Sequence, residues 1–317
     1  MSAVFLDYDT VSRNDLDQSA LLRAMPELEF HGLTEPAQIA GRIEGAQILL
    51  LNKIVLSRNL IRAAPRLRMI AVAGTGTNNI DLAAAEERGI AVCNVRSYCD
   101  RAVTQQVWAL ILGLTQQLRG YADLVRDGSW TSREAHTGLA YPIRELAGRT
   151  FGVVGWGELG RAAAGIAQAF GMRVMIANRP GGPREPGRVD LDQLLAESDV
   201  LTLHCPLTPD TRGMIGAREL SLMKPDALLI NTARGGLIDS HALAAALKEG
   251  RLGGAGIDVL AQEPPVDGDP LLDPSIPNLL VTPHVAWAAR EARQRCIDEM
   301  AANVEDFLAG GRRSRVV

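Results

Sequence analysis

Short apolar runs alternate along this chain with stretches whose apolar residues recur at helical spacing. In the first part, residues 4–6, 46–51, 69–73 and 91–94 read as strands. They are continuously apolar, as expected of parallel strands buried on both faces. Residues 58–64 and 80–88 between them carry helical spacing. A long helix is predicted from near Asp100 through VTQQVWALILGLTQQL. Residues 127–147 follow, an irregular stretch containing GSW, HTG and YP. It is too long for an ordinary connection and reads as a functional or interface loop. A second alternating series begins at Thr150, with strands at 151–155, 173–177, 200–204, 227–231, 254–259 and 279–282. Helices at 159–170, 191–197 and 241–249 lie between them, and a last helix spans 291–308. Such alternation predicts an α/β protein with two doubly wound parallel sheets.

Composition narrows the function classes. The 317 residues suit two domains, and 47% apolar with 22% charged residues is ordinary globular usage. A net charge of −4 without a basic stripe argues against nucleic acid and anionic membrane surfaces as partners. No segment approaches the roughly 18 apolar residues of a membrane span. The N-terminus lacks the pattern of a signal peptide. Cys93, Cys99, Cys205 and Cys296 form no CxxC pair and no zinc spacing with histidines. Reduced thiols in a cytoplasmic protein without a metal are the expectation.

The segment TFGVVGWGELGRAAAGIAQAF places Gly155, Gly157 and Gly160 in the spacing GxGxxG, after an apolar strand and before an alanine-rich helix. The spacing alone is weak, and the context makes it a dinucleotide-binding turn. Gly155 permits the tight turn, Gly157 admits a pyrophosphate to the backbone, and Gly160 lets the helix approach the sheet. The pyrophosphate is expected on the amides of Glu158 and Leu159 at the helix N-terminus. The next strand ends in Asn178-Arg179-Pro180, where an NAD site carries an acid for the ribose. Loss of that acid and the presence of Arg179 lean toward NADP; Asn178 binding the ribose of NAD is the alternative.

Three more residues follow strands of the second series: Arg234 in NTARGG, Glu263 in AQEPP and His284 in VTPHVAW. Ligands of open α/β sheets bind beyond the carboxyl ends of the strands. Arginine forks onto a carboxylate, histidine exchanges protons near neutral pH, and a glutamate stabilises an imidazolium. This triad suits reduction of a keto acid. His204 also ends a strand and reads as a structural or cofactor-side residue. His31, His136 and His241 read as surface or interface residues. Lys53 either reaches substrate or is solvated. Trp287 lines the substrate pocket or fills a domain interface.

NTARGGLID, GIDVLAQEPP and VTPHVAW resemble the signature segments of the D-isomer-specific 2-hydroxyacid dehydrogenases. The resemblance runs over nearly the whole chain and is strongest from Leu146 to Glu291. ILLLNK, LTLHCPLT and PHVAW bring it closest to the glycerate dehydrogenase / hydroxypyruvate reductase branch. It implies His284 as acid/base, Glu263 as its partner and Arg234 as substrate anchor. It also implies that Asp258 contacts the nicotinamide carboxamide and that Cys205, Pro206, Thr211, Thr232, Ala233 and Arg234 lie along the cofactor. AVAGTGTNNID resembles the loop whose amides near Thr75 and Gly76 take the substrate carboxylate, as a nest of small residues does for an anion. The implied fold is a flavodoxin-like substrate domain, residues 1–99 plus 286–317, and a Rossmann cofactor domain, residues 100–285. The active site is expected in the cleft between them. A homodimer is implied, with residues 127–147 as a candidate arm. The chain departs from the family at Val103-Thr104-Gln105, where V-A-E is commoner, and at the missing acid after the second strand of the nucleotide fold. Hydroxypyruvate and glyoxylate are the expected substrates. D-3-phosphoglycerate and a non-catalytic dinucleotide-sensing protein are the rivals.

Overall fold

The computed structural model describes residues 1–131 and 138–317. They divide into two compact units, Met1–Cys99 with Trp287–Val317, and Asp100–Ala286. His136 and part of the 127–147 segment lie outside the described residues.

The first unit runs β1 (Ala3–Phe5), α1 (Ser19–Ala24), β2 (Leu28–Phe30), α2 (Pro36–Ile43), β3 (Ile48–Leu51), α3 (Arg58–Ala63), β4 (Met69–Val72), α4 (Leu82–Glu87) and β5 (Ala91–Cys93). All strands are parallel in the order β2-β1-β3-β4-β5, a doubly wound sheet of the flavodoxin type. Every residue of β3 and β4 is buried, which explains their unbroken apolar runs. Alternation of apolar residues does not announce α1, β2 or α2. A three-residue strand and a six-residue helix are too short to establish a period.

Strand order reverses between β1 and β3, and the crevice there is filled from within. The Asp7 carboxylate accepts the N–H of Asn52 at 2.8 Å, of Lys53 at 2.6 Å and of Ile54 at 3.2 Å. Burial raises the Asp7 pKa against the pull of these three amides. Asn79 donates its side-chain amide to the carbonyls of Asn52 and Ile54, so the Lys53 turn is braced on both sides.

The second unit begins with α5 (Asp100–Thr115) and α6 (Leu118–Arg126). The sequence reads as one helix through Leu118, and this is corrected. Gln117 has a left-handed backbone, φ 51°, and its side chain donates to the Leu114 carbonyl. Apolar spacing continues across the break and conceals it. There follow β6 (Thr150–Val154), α7 (Glu158–Ala169), β7 (Arg173–Ile176), α8 (Leu191–Glu197), β8 (Val200–Leu203), α9 (Ala217–Leu222), β9 (Leu228–Asn231), α10 (Ser240–Lys248), β10 (Gly254–Ile257) and β11 (Leu279–Val281). The parallel order β11-β10-β9-β8-β6-β7 reverses between β6 and β8, where a doubly wound sheet receives its ligand. The core between sheet and helices holds Leu201, Leu203, Leu229, Leu243 and Ile257, each at most 1% exposed.

The last helix, α11 (Arg290–Leu308), belongs to the first unit and packs on α1 and β4. Beyond it, Val316 N–H donates to the Val92 carbonyl at 2.7 Å. The chain thereby pairs with the otherwise open edge of β5, protecting its unpaired amides.

Candidate active site

The turn after β6 shows why glycine occupies its three positions. Gly155 has φ +99°, and a Cβ there would lie 2.6 Å from the His204 carbonyl carbon. A Cβ on Gly160 would lie 2.1 Å from the Gly155 carbonyl oxygen, so the first turn of α7 sits directly on the loop. Gly157, the N-cap of α7, is different: a Cβ there meets nothing within 4 Å. Space above the helix N-terminus is open, and Glu158 and Leu159 begin a helix of 12 residues whose dipole favours an anion.

Two buried polar atoms flank the same reversal point. Leu203 pairs with Asn231 in the sheet, so the next residues, His204 and Thr232, leave β8 and β9 at neighbouring positions. Among the described residues, His204 Nδ1 and Thr232 Oγ1 are enclosed without a hydrogen-bond partner. His204 Nε2 meets Thr202 Oγ1 at 3.0 Å. Native chains rarely leave such groups unsatisfied. A polar ligand beyond these strand ends would satisfy them, and the open glycine turn fits its phosphates.

Other cofactor-lining residues proposed from sequence are partly occupied in holding their own loops. Thr211 Oγ1 donates to the Pro206 carbonyl at 2.7 Å and accepts from Thr208 N–H at 2.8 Å. Cys205 is buried, which pushes its thiol up to about 11 and makes it unreactive. Asn178 donates to Asp190 at 3.1 Å and accepts from Glu185 N–H at 3.0 Å, bracing the loop after β7. Arg179 is exposed, and its guanidinium makes no ion pair among the described residues.

Arg234, Glu263 and His284 stand on loops after β9, β10 and β11, adjacent strands of one sheet. The turn carrying Arg234 is folded by Asn231, fully buried, whose side chain donates to the Arg234 carbonyl and accepts from Ala233 N–H. The next residue, Gly235, lies against the loop after β10: a Cβ there would be 2.0 Å from the Leu260 carbonyl carbon. Leu260 N–H in turn donates to Glu263 Oε1 at 2.9 Å. Glu263 Oε2 meets His284 Nδ1 at 2.5 Å. A carboxylate at Nδ1 accepts the hydrogen bond of that nitrogen and so fixes the tautomer of the ring. The side chains of His284 and Glu263 remain 27% and 31% exposed, so a small substrate has access to the pair.

His284 is held in a left-handed conformation, φ 54°. Its N–H donates to the Asp258 carbonyl at 2.8 Å. The Asp258 carboxylate accepts the Thr282 hydroxyl at 2.5 Å, Val285 N–H at 3.0 Å and Ala286 N–H at 2.8 Å. Burial raises the Asp258 pKa, and these donors oppose the rise. Asn231 and Thr282 are absent from the sequence-based set. Asparagine before TARGG is a local turn signal, whereas nothing near Thr282 announces its partner 24 residues away.

In the first unit, Thr75 and Gly76 follow β4. Thr75 is pinned by its hydroxyl to the Val95 carbonyl and by its own carbonyl to the Asn94 side chain. The N–H groups of Thr75 and Gly76 donate to no carbonyl among the described residues.

Comparison with known proteins agrees with this geometry. Residues 108–286 match the D-isomer specific 2-hydroxyacid dehydrogenase, NAD binding domain. The chain is 46% identical to a glycerate dehydrogenase of Methylorubrum extorquens over 309 residues, covering 97% of this chain and 96% of that one. It is 36% identical to a hydroxypyruvate reductase of Blautia hydrogenotrophica, covering 98% of each. The TT0316 protein of Thermus thermophilus superposes with a TM-score of 0.88 at 35% identity over the whole of both chains. The chain belongs to the D-isomer-specific 2-hydroxyacid dehydrogenases. It is an oxidoreductase that uses a nicotinamide dinucleotide to interconvert 2-keto acids and D-2-hydroxy acids. No helix among the described residues is long and apolar enough to cross a membrane.

The buried His204 ring carries a pH signature. Desolvation lowers its pKa from 6.5 to about 4. Between these values the unfolded chain binds a proton that the folded chain refuses, so folding weakens as pH falls through the window. His204→Gln is expected to lose less stability than the parent between pH 6.5 and 4, measured by urea denaturation of the ligand-free protein. Parallel pH profiles for the two proteins would count against a buried neutral ring.

Proposed function

We propose that the protein reduces hydroxypyruvate or glyoxylate to D-glycerate or glycolate, with His284 as proton donor. The observation that carries this reading is the 2.5 Å contact between Glu263 and His284 Nδ1. The relatives named glycerate dehydrogenase and hydroxypyruvate reductase support the substrate class. Arg234 anchors the substrate carboxylate and stabilises charge growing on the carbonyl oxygen. The amides of Thr75 and Gly76 take the carboxylate as well. A bound dihydronicotinamide supplies the hydride. His284 Nε2 delivers the proton to the carbonyl oxygen, and Glu263 stabilises the imidazolium before delivery.

Gly155, Gly157, Glu158, Leu159 and Gly160 hold the pyrophosphate. Cys205, Pro206, Thr211, Thr232, Ala233 and Asp258 line the dinucleotide, and Asn178 and Arg179 face its adenosine ribose. NADP is preferred over NAD in this reading, because the exposed Arg179 offers an unpaired guanidinium where an acid would repel a 2′-phosphate. Residues 1–99 plus 286–317 act as substrate domain and 100–285 as cofactor domain. The active enzyme is a cytoplasmic homodimer. The buried thiols of Cys93, Cys205 and Cys296, outside any disulfide, support the location. Leu118, Val125, Trp130, Leu139 and Ile143, all between 45% and 84% exposed, support a dimer contact through this part of the cofactor domain.

Four outcomes follow. Hydroxypyruvate or glyoxylate is reduced with higher kcat/KM than pyruvate or phenylpyruvate; preference for the aromatic acid in a steady-state assay defeats the substrate assignment. In that assay, Glu263→Gln lowers kcat/KM for keto-acid reduction roughly tenfold or more, since the ring loses the carboxylate that stabilises its charged form. A near-wild-type value removes Glu263 as the partner of His284. Arg179→Ala raises KM for NADPH more than for NADH, and an equal rise removes Arg179 as the reader of the phosphate. Light scattering tests the assembly: Leu139→Asp yields monomer, and an unchanged mass places the contact elsewhere.

A further inference from the structure

A line of hydrogen bonds approaches the His284 turn from α5, independently of Glu263. Gln106 Nε2 donates to Thr282 Oγ1 at 3.2 Å. Thr282 Oγ1 meets Asp258 Oδ1 at 2.5 Å. The threonine has a single hydroxyl proton, and the carboxylate takes it. Its oxygen is then an acceptor only, so Gln106 must present its NH2 group. Asp258, oriented by Thr282, holds Val285 and Ala286 through its carboxylate and His284 through its carbonyl. The left-handed backbone of His284 is strained for a non-glycine residue and persists only where its surroundings over-determine it. Gln106 lies 176 residues from Thr282 and supplies the outermost donor of that surrounding.

We infer that Gln106 is a positioning residue: acting through Thr282 and Asp258, it fixes the turn that aims the His284 imidazole. The assignment rests on His284 as the proton donor. It gives α5, which packs against β9, β10 and β11, a part in the chemistry without touching substrate. An amide nitrogen is required at this position; a group of equal size that cannot donate breaks the line at its first link.

Gln106→Glu keeps the shape and replaces the donor with an acceptor at neutral pH. Gln106→Leu removes the donor without adding charge. Both are expected to lower kcat for hydroxypyruvate reduction by roughly fivefold to tenfold through misalignment of the ring. KM for NADPH should rise by less than kcat falls, since Asp258 also lines the dinucleotide while the pyrophosphate turn is untouched. In a Thr282→Val background the same substitutions should have no further effect, because the middle link is already gone. Amide hydrogen exchange at residues 284–286 should quicken in both variants while β8 and β9 stay protected. Wild-type kcat in either variant, equal losses in both backgrounds, or unchanged exchange at 284–286 overturns the inference. If the parent reduces no 2-keto acid, the proposed function fails by itself, and exchange at 284–286 still decides the role of Gln106.

Discussion

The Asp258 carboxylate is the constraint around which the reactive end of the second unit is organised. It is 1% exposed, and burial raises its pKa. Three donors oppose that tendency, and all three lie on the loop after β11. The desolvation cost of an acid at a strand end is thus offset by donors that simultaneously fix a loop. Without that loop geometry the His284 backbone would relax from φ 54° toward the common right-handed region, and the ring would leave Glu263.

Glu263 is constrained in a similar way from the other side. One oxygen accepts Leu260 N–H and the other meets the imidazole, so the carboxylate has little rotational freedom. Leu260 also lies under Gly235, where only a hydrogen fits, and Gly235 follows Arg234. Three loops from three adjacent strands therefore interlock, through the close approach of Gly235 to Leu260 and the contact of Glu263 with His284. Position comes from the scaffold and chemistry from the few groups the scaffold leaves accessible, the division expected at the carboxyl ends of parallel strands.

Much of this was legible in the chain because it is encoded locally. Gly155, Gly157 and Gly160 lie within six consecutive residues, and Arg234, Glu263 and His284 each sit in a short distinctive segment. Strands such as β3, β4 and β8 are buried on every residue, so their apolar runs speak plainly. What escaped is encoded at a distance or below one structural period. Thr282 and Gln106 matter through partners 24 and 176 residues away, and no local pattern names such partners. The break at Gln117 leaves the hydrophobic stripe intact, since one left-handed residue redirects the axis without exposing the core face. The loop commitments of Asn178 and Thr211 were hidden because a side chain that serves its own loop has the same identity as one that serves a ligand.

The two sheets share one winding pattern and treat its reversal point in opposite ways. In the second unit that crevice is lined by small residues and unsatisfied polar atoms. In the first it is plugged by the Asp7 carboxylate, which consumes three backbone amides of the Lys53 turn. An anion entering this crevice would meet an acid and a turn whose amides are already taken. A single internal carboxyl group thus stands where a ligand would, and the crevice of the first sheet is filled from within.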